Sequence, residues 1–326
     1  MRQRLLEDSP SRTAAGVAFR RAAHQVLDQP PVFRDPVAKS LLSQEAQSSL
    51  DTDPWLGNRG VAQGRLRAFL AVRSRVAEDC VAEAVASGVR QYVVLGAGLD
   101  TFACRNPFPE LRVFEVDHPR TQAWKLERLR AAGLTASVGT VYVPVDFETQ
   151  TVARELLEHG FDASGPTALS WLGVVPYLEE ATVWATFEWV VRVVGDEGHI
   201  VFDYGNKPSW WRLGQRAAFR QLAARVAAAG EPFRTLFPPA YVRQRLTSIG
   251  FTRVTDLGSR ELNRRYFASR TDGLRVGGSG HVVVASTSRR SLLPFGRVED
   301  GRGGLRLKGW PWPAAFAMCR CPSFNR

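Results

Sequence analysis

Tyr92-Val93-Val94-Leu95-Gly96-Ala97-Gly98-Leu99-Asp100-Thr101 is the stretch that decides the fold. A short apolar run passes without a break into a loop holding two glycines. A strand covered on both faces reads as such a run, without polar alternation. Glycines directly after it let the backbone turn sharply and let a ligand approach with no Cβ in the way. In an open α/β sheet, ligands sit beyond the carboxyl ends of the strands, where the strand order reverses. The stretch therefore reads as the first strand and the ligand loop of a doubly wound sheet.

The flanking sequence agrees. Strand candidates are Tyr92–Leu95, Arg112–Val116, Val141–Val145, Thr167–Leu172, His199–Asp203, Thr252–Leu257 and His281–Ala285. Helix candidates are Pro119–Ala132, Thr149–Glu158, Glu179–Val194, Arg212–Ala229 and Pro239–Ile249. The first five strands alternate with helices, which predicts a parallel sheet with helices on both faces. The last two strands lack an obvious crossover helix, which predicts an antiparallel hairpin at the sheet edge. Upstream, residues 61–90 carry a helical pattern with Leu66, Phe69, Leu70, Arg73, Val76, Ala77 and Cys80 on one face, and Gly88 as its stop. Residues 1–60 read as short helices separated by turns at Gln29-Pro30-Pro31 and Asp35-Pro36. The resulting division is an N-terminal helical lid (1–60), a ligand-binding α/β domain (61–286) and a basic, disordered tail (287–326).

The chemistry starts at the end of the second strand, where Glu115-Val116-Asp117 places two carboxylates. Asp117 lies 21 residues after Gly96 and Glu115 lies 19 after it. A carboxylate near that spacing accepts hydrogen bonds from ribose hydroxyls. Both NAD and S-adenosylmethionine carry an adenosine ribose, so this spacing alone leaves both open. Thr101 stands where a Gly-x-Gly-x-x-Gly pattern has its third glycine. That weakens the dinucleotide reading, because the third glycine serves close helix packing under a pyrophosphate. After the third strand, Asp146 is placed to accept from the adenine amino group and Phe147 to cover the ring. Asp146 reads equally as the N-cap of the helix from Thr149.

The chain has 326 residues and a net charge of +11, with 44% hydrophobic and 23% charged residues, an ordinary globular composition. Eight Lys/Arg against two acids place +6 of the +11 within residues 287–326. The body is only mildly basic, so a nucleic-acid partner is the weaker expectation. No apolar run reaches a membrane span of roughly 18 residues, and Met1–Ser11 does not read as a signal peptide, so a cytoplasmic protein is expected. The four cysteines have no zinc or redox spacing, and no metal is expected.

Several segments together resemble the bacterial branch of the leucine carboxyl methyltransferase family, S-adenosylmethionine-dependent enzymes. They are Ser11-Arg12-Thr13-Ala14, Phe19-Arg20-Arg21-Ala22, Asp35-Pro36-Val37-Ala38, Arg73-Ser74-Arg75 with Glu78-Asp79, Gly88 through Thr101, Phe114 through Pro119 with Lys125, and Trp171 through Leu178. The resemblance implies a class I methyltransferase, Rossmann-like, with a seven-stranded mostly parallel sheet and an N-terminal helical extension. It implies that Arg73 meets the methionine carboxylate of the cofactor, that Gly96, Ala97 and Gly98 run along its methionine and ribose, that Asp117 holds the ribose, and that Asp146 and Phe147 hold the adenine. It departs at Leu172, where many relatives carry a Glu shortly before the glycine.

The expected reaction is methylation of a small-molecule acceptor, at a carboxylate or hydroxyl oxygen. His118 and Tyr177 are the side chains considered as helpers, and neither is assigned a catalytic role. Substrate selection is expected from residues 1–60 and from the insertion Asn206–Ala240, with Trp210 and Trp211 in it. Arg20 and Arg21 also fit a solvated helix face. The rival readings are an NAD(P)-dependent oxidoreductase, a non-catalytic adenosine-ligand binder and a nucleic-acid methyltransferase.

Overall fold

The computed structural model describes residues 11–146, 149–194, 198–207, 213–228 and 232–287. Phe147, Trp210, Trp211 and the tail from Ser288 onward lie outside the described residues. Three helices come first: α1 (Arg12–Leu27), α2 (Gln44–Thr52) and α3 (Val61–Ala86). The alternating part follows as β1 (Gln91–Leu95), α4 (Phe102–Arg105), β2 (Arg112–Asp117), α5 (Pro119–Ala131), β3 (Thr140–Pro144) and α6 (Val152–Glu158). Next come β4 (Thr167–Trp171), a 3₁₀ turn Val175–Tyr177, α7 (Glu180–Val194), β5 (His199–Gly205), α8 (Leu213–Ala228) and α9 (Pro239–Ile249). The last elements are β6 (Arg253–Leu257), α10 (Ser259–Tyr266) and β7 (Gly280–Ser286).

The seven strands form one sheet in the order β3-β2-β1-β4-β5-β7-β6. Only β7 runs against its neighbours, β5 and β6. The chain steps from β1 outward to β3, then returns to β4 on the other side of β1. The strand order therefore reverses between β1 and β4, and the glycine loop sits at that reversal.

Every residue of β1 and of β4 is buried, which is why both read as largely apolar runs. One sheet face packs Val93, Phe114, Leu169 and Phe202 against Phe187 and Val190 of α7 and Leu246 of α9. The other packs Tyr92, Val94 and Val113 against Val81 and Ala84 of α3 and Phe102 of α4. Phe114 and Phe187 are wholly buried, and a side chain of that size contributes roughly 1.5–3 kcal/mol on burial.

Three expectations need correction. Helix α3 is buried on more than one face: Arg67, Ala68 and Val72 are as enclosed as Leu70 and Val76. Helix α1 packs along it, while α1's alanine face (Ala18, Ala22, Ala23) joins Ala38, Leu42 and Leu50 in a separate apolar cluster. Arg67 of α3 reaches Asp28, at the end of α1, through Nε at 2.6 Å and Nη2 at 2.9 Å. The terminal strands do pair antiparallel at the sheet edge, but not as a simple hairpin, because α10 lies between them; β7 is the one that joins β5. Helix α6 begins at Val152 with Thr151 as N-cap, not at Thr149, so Asp146 does not cap it. The Asp146 carbonyl instead accepts the N–H groups of Thr149 and Gln150 in a tight turn.

Candidate functional site

The site is built at the carboxyl ends of β1, β2, β4 and β5. At the end of β1, the N–H groups of Gly96 and Ala97 both reach the carbonyl of Val116, at 2.8 and 3.2 Å, and fold the loop over β2. Gly96 and Gly98 have φ of 64° and 49°, the left-handed region that favours glycine. A Cβ on Gly96 would lie 2.5 Å from Val174 Cγ2, so the loop after β4 closes directly on this glycine. Gly98 faces Ala14 of α1, which a Cβ there would touch at 3.5 Å.

Asp117 ends β2 beside this loop. Its carboxylate accepts the Gly98 N–H, and the His118 N–H at 2.7 Å. Burial pushes its carboxyl above the ordinary carboxylate range, against the pull of those two amides. The structure also decides between the two spaced carboxylates. Glu115 is wholly buried beneath the loop and paired with Lys125 Nζ at 2.5 Å, both side chains 1% exposed. Glu115 is thus a core ion pair, and Asp117 is the carboxylate at the strand end.

At β4 and β5 the decisive side chain is Arg73, from the middle of α3. It is buried, and Nη1 donates to Asp203 Oδ2 at 3.0 Å. Asp203 Oδ1 accepts the Gly173 N–H at 2.5 Å. Gly173 has φ +73°, and a Cβ on it would lie 2.8 Å from Arg73 Nη2. Glycine is therefore required twice over, for the turn and for room beside the guanidinium. Among the described residues, Arg73 Nε and Nη2 find no acceptor. Those donors remain available to an anionic ligand group at this end of the site. Adjacent strands are about 4.8 Å apart; β2 and β4 flank β1, so Asp117 and Gly173 stand roughly 10 Å from each other across the glycine loop.

Sequence reasoning missed what braces the loop. Thr101 Oγ1 donates to Asp35 Oδ2 at 2.7 Å and accepts Arg105 Nε at 3.1 Å. Arg105 also pairs with Glu78 and with Asp35. Arg21 reaches Asp35 at 2.9 Å and donates to the Leu99 carbonyl, so it is buried and not part of a solvated face. Burial, opposed by Arg105, pushes the Glu78 carboxyl up to about 7. The hydroxyl in place of a third glycine thus ties the N-terminal segment to the ligand loop. Asp203 was also missed, although its signal was present: a carboxylate at the carboxyl end of a parallel strand, as in β2.

The remaining candidates separate. Asp146 lies two residues beyond β3, half-buried, its N–H donating to Gln150 Oε1 at 2.9 Å. Phe147 lies outside the described residues. His118 is the N-cap of α5, its Nδ1 accepting the Arg120 N–H at 3.2 Å. Tyr177 packs its ring 5.5 Å from that of Phe233. Among the described residues no His, Cys, Asp and Glu side chains group as a metal site, and no helix is long and apolar enough to cross a membrane.

Residues 14–191, more than half of the chain, match the family model of the leucine carboxyl methyltransferases. The chain belongs to that family. It is an S-adenosylmethionine-dependent methyltransferase. The Bacillus subtilis protein YktD, whose name places it among the S-adenosyl-L-methionine-dependent methyltransferases, is 31% identical over 300 residues, covering 86% of this chain and 98% of YktD. A Mycobacterium ulcerans protein of similar name is 32% identical over 242 residues, covering 70% of this chain and 77% of its own. The crystal structure of a DUF574 family protein from Streptomyces avermitilis shares the methyltransferase's fold, with a TM-score of 0.54 and 17% identity, over 83% of this chain and 96% of its own. The sheet of the methyltransferase is the seven-stranded, mostly parallel class I sheet that the resemblance implied.

The residues present suit the cofactor. The cradle has a donor-rich cation for a carboxylate at one end, a carboxylate for ribose hydroxyls at the other, and between them a glycine loop with no Cβ at Gly96 and Gly98.

Proposed function

We propose that this enzyme methylates an oxygen atom of a small molecule, a carboxylate or a hydroxyl. The observation that carries the reading is the pairing of two opposed recognition ends on one cradle: Arg73 with unmet donors beside Gly173, and Asp117 beside Gly98. A ligand with an amino-acid end and a nucleoside end fills both; a nicotinamide dinucleotide carries no carboxylate for Arg73.

Arg73 holds the methionine carboxylate, using the donors that lack an acceptor; a guanidinium fork suits a carboxylate through two parallel hydrogen bonds. Asp117 holds the ribose hydroxyls. Gly96, Ala97 and Gly98 offer bare backbone along the ligand, and Asp146 and Phe147 hold the adenine. Bound there, S-adenosylmethionine supplies an electrophilic methyl group on a sulfonium leaving group. The chain's own task is then alignment and exclusion of water, bringing acceptor and methyl to about 3–3.5 Å. A carboxylate acceptor is ionised at neutral pH and needs no base, whereas a hydroxyl needs one. His118 is spent as a helix cap, which leaves the carboxylate the simpler acceptor for this site.

Acceptor choice falls to residues 1–60 and to the insertion 206–240. The N–H groups of Arg234 and Thr235 bond to the Pro176 carbonyl and that of Phe237 to the Gly205 carbonyl. The insertion thereby runs across the ends of β4 and β5, where an acceptor must approach. The proposed compartment is the cytoplasm, where S-adenosylmethionine is made; Cys80 and Cys104 are free thiols, in keeping with a reducing environment.

The test uses S-adenosylmethionine with a deuterated methyl group, the purified enzyme and a small-molecule extract of cells. Products are found by mass spectrometry and then treated with mild alkali. Label released as methanol identifies a methyl ester, and alkali-stable label on oxygen identifies an ether. Label found on nitrogen or carbon contradicts the proposal.

A further inference from the structure

The methionine end of the cofactor is a zwitterion. Its carboxylate and its α-ammonium share one carbon, so whatever holds one stands close to the other. Arg73 alone would meet the carboxylate but repel the ammonium in a site where charge is poorly screened. The structure places a carboxylate against that arginine. Asp203, 3% exposed, touches Arg73 Nη1 through Oδ2 at 3.0 Å and the Gly173 N–H through Oδ1 at 2.5 Å. A carboxylate offers about four acceptor positions. Each Asp203 oxygen accepts one hydrogen bond, which leaves acceptor capacity on both.

Among the described carboxylates near the loop, Asp203 is the one bonded to Arg73, whereas Asp100 turns to the Phe102 N–H and to Arg21. Glu115 is committed to Lys125, Glu78 to Arg105, and Asp117 to the backbone of Gly98 and His118. The residue preceding Gly173 is the apolar Leu172. We propose that Asp203 accepts the α-ammonium of the cofactor, so that Arg73 and Asp203 read the amino-acid end together as one zwitterion. This rests on the assignment of Arg73 to the cofactor's carboxylate. It adds a binding residue, on β5, and a reason for the Arg73–Asp203 pair beyond holding two side chains in place.

Calorimetry with three probes separates the roles. S-adenosylhomocysteine carries both charges, its decarboxylated analogue carries the ammonium without the carboxylate, methylthioadenosine carries neither, and all three are uncharged at sulfur. Asp203→Asn keeps the shape and removes the charge. The expected result is a loss of about tenfold or more for S-adenosylhomocysteine and for the decarboxylated probe, with methylthioadenosine changed by less than about twofold. Arg73→Ala should weaken S-adenosylhomocysteine and spare the decarboxylated probe. If Asp203→Asn weakens only S-adenosylhomocysteine, Asp203 merely holds Arg73 and the proposal is overturned. Equal weakening of all three probes means that the loop has collapsed, and overturns it too. If the variant does not fold, the wild-type enzyme decides: the decarboxylated probe must bind at least about tenfold tighter than methylthioadenosine, and equal affinity refutes the role of Asp203. Wild-type protein that binds none of the three refutes the cofactor site itself, a separate outcome.

Discussion

Gly173→Ala tests the Arg73 end of the site without touching a charged group. The perturbation has two parts. Gly173 sits at φ +73°, and an L-residue there costs roughly 1–2 kcal/mol. The added Cβ would stand 2.8 Å from Arg73 Nη2 and 3.0 Å from Nη1, closer than real Cβ contacts allow. The guanidinium is the far end of a flexible side chain and will move, but moving breaks its bond to Asp203. A hydrogen bond to a charged group is worth roughly 1.5–3 kcal/mol. Stability by denaturant titration should therefore fall by about 1–3 kcal/mol. Affinity for S-adenosylhomocysteine should fall about tenfold to hundredfold, because Arg73 no longer faces the ligand. Adenosine, which has no amino-acid end, should bind within about twofold of wild type. Unchanged affinity for S-adenosylhomocysteine, or an equal loss for adenosine, would refute the reasoning.

Three further outcomes are expected. Lys125→Met should destabilise the protein by about 3–5 kcal/mol in thermal or chemical unfolding, because Glu115 is left buried and unpaired, and adding Glu115→Gln should recover part of the loss. Glu78 has its folded-state pKa raised from 4.5 to about 7, so the unfolded chain gives up this proton first and Glu78's contribution to stability declines as pH rises between those values; Glu78→Gln should flatten that decline in a pH series of unfolding curves. Deleting residues 288–326 should leave circular dichroism and cofactor affinity unchanged, since β7 ends at Ser286 and Thr287 still bonds to Gly198; loss of folding would show that the tail belongs to the domain.

Strands β1, β4 and β5 were legible because burial on both faces leaves them mostly apolar. The glycine loop was legible because a turn at φ of 64° and 49° leaves glycines behind. Helix α10 was not, because Ser259–Tyr266 buries only Leu262 and shows no apolar period. Helix α3 looked amphipathic because the periodicity of its own apolar residues does not reveal that α1 also packs along it. Arg73 and Asp117 could be named from the family resemblance and from strand-end spacing, but the partners that hold them could not. Asp203 lies 130 residues from Arg73, and Asp35 lies 66 from Thr101. Only the sheet order brings the first pair together, and only the packing of the N-terminal segment on α3 and α4 brings the second. Polar pairs of that separation have no local pattern to betray them.

The proposed cofactor spans Asp117 and Arg73 as one ligand. Calorimetry on wild type, Asp117→Ala and Arg73→Ala, each with S-adenosylhomocysteine, adenosine and NADH, tests it most directly. Wild type should bind the first two and not NADH. Asp117→Ala should lose about tenfold to hundredfold for both S-adenosylhomocysteine and adenosine, whereas Arg73→Ala should lose as much for S-adenosylhomocysteine and almost nothing for adenosine. Arg73→Ala that is folded by circular dichroism and binds S-adenosylhomocysteine as wild type does, or wild type that binds NADH and not S-adenosylhomocysteine, would contradict the account.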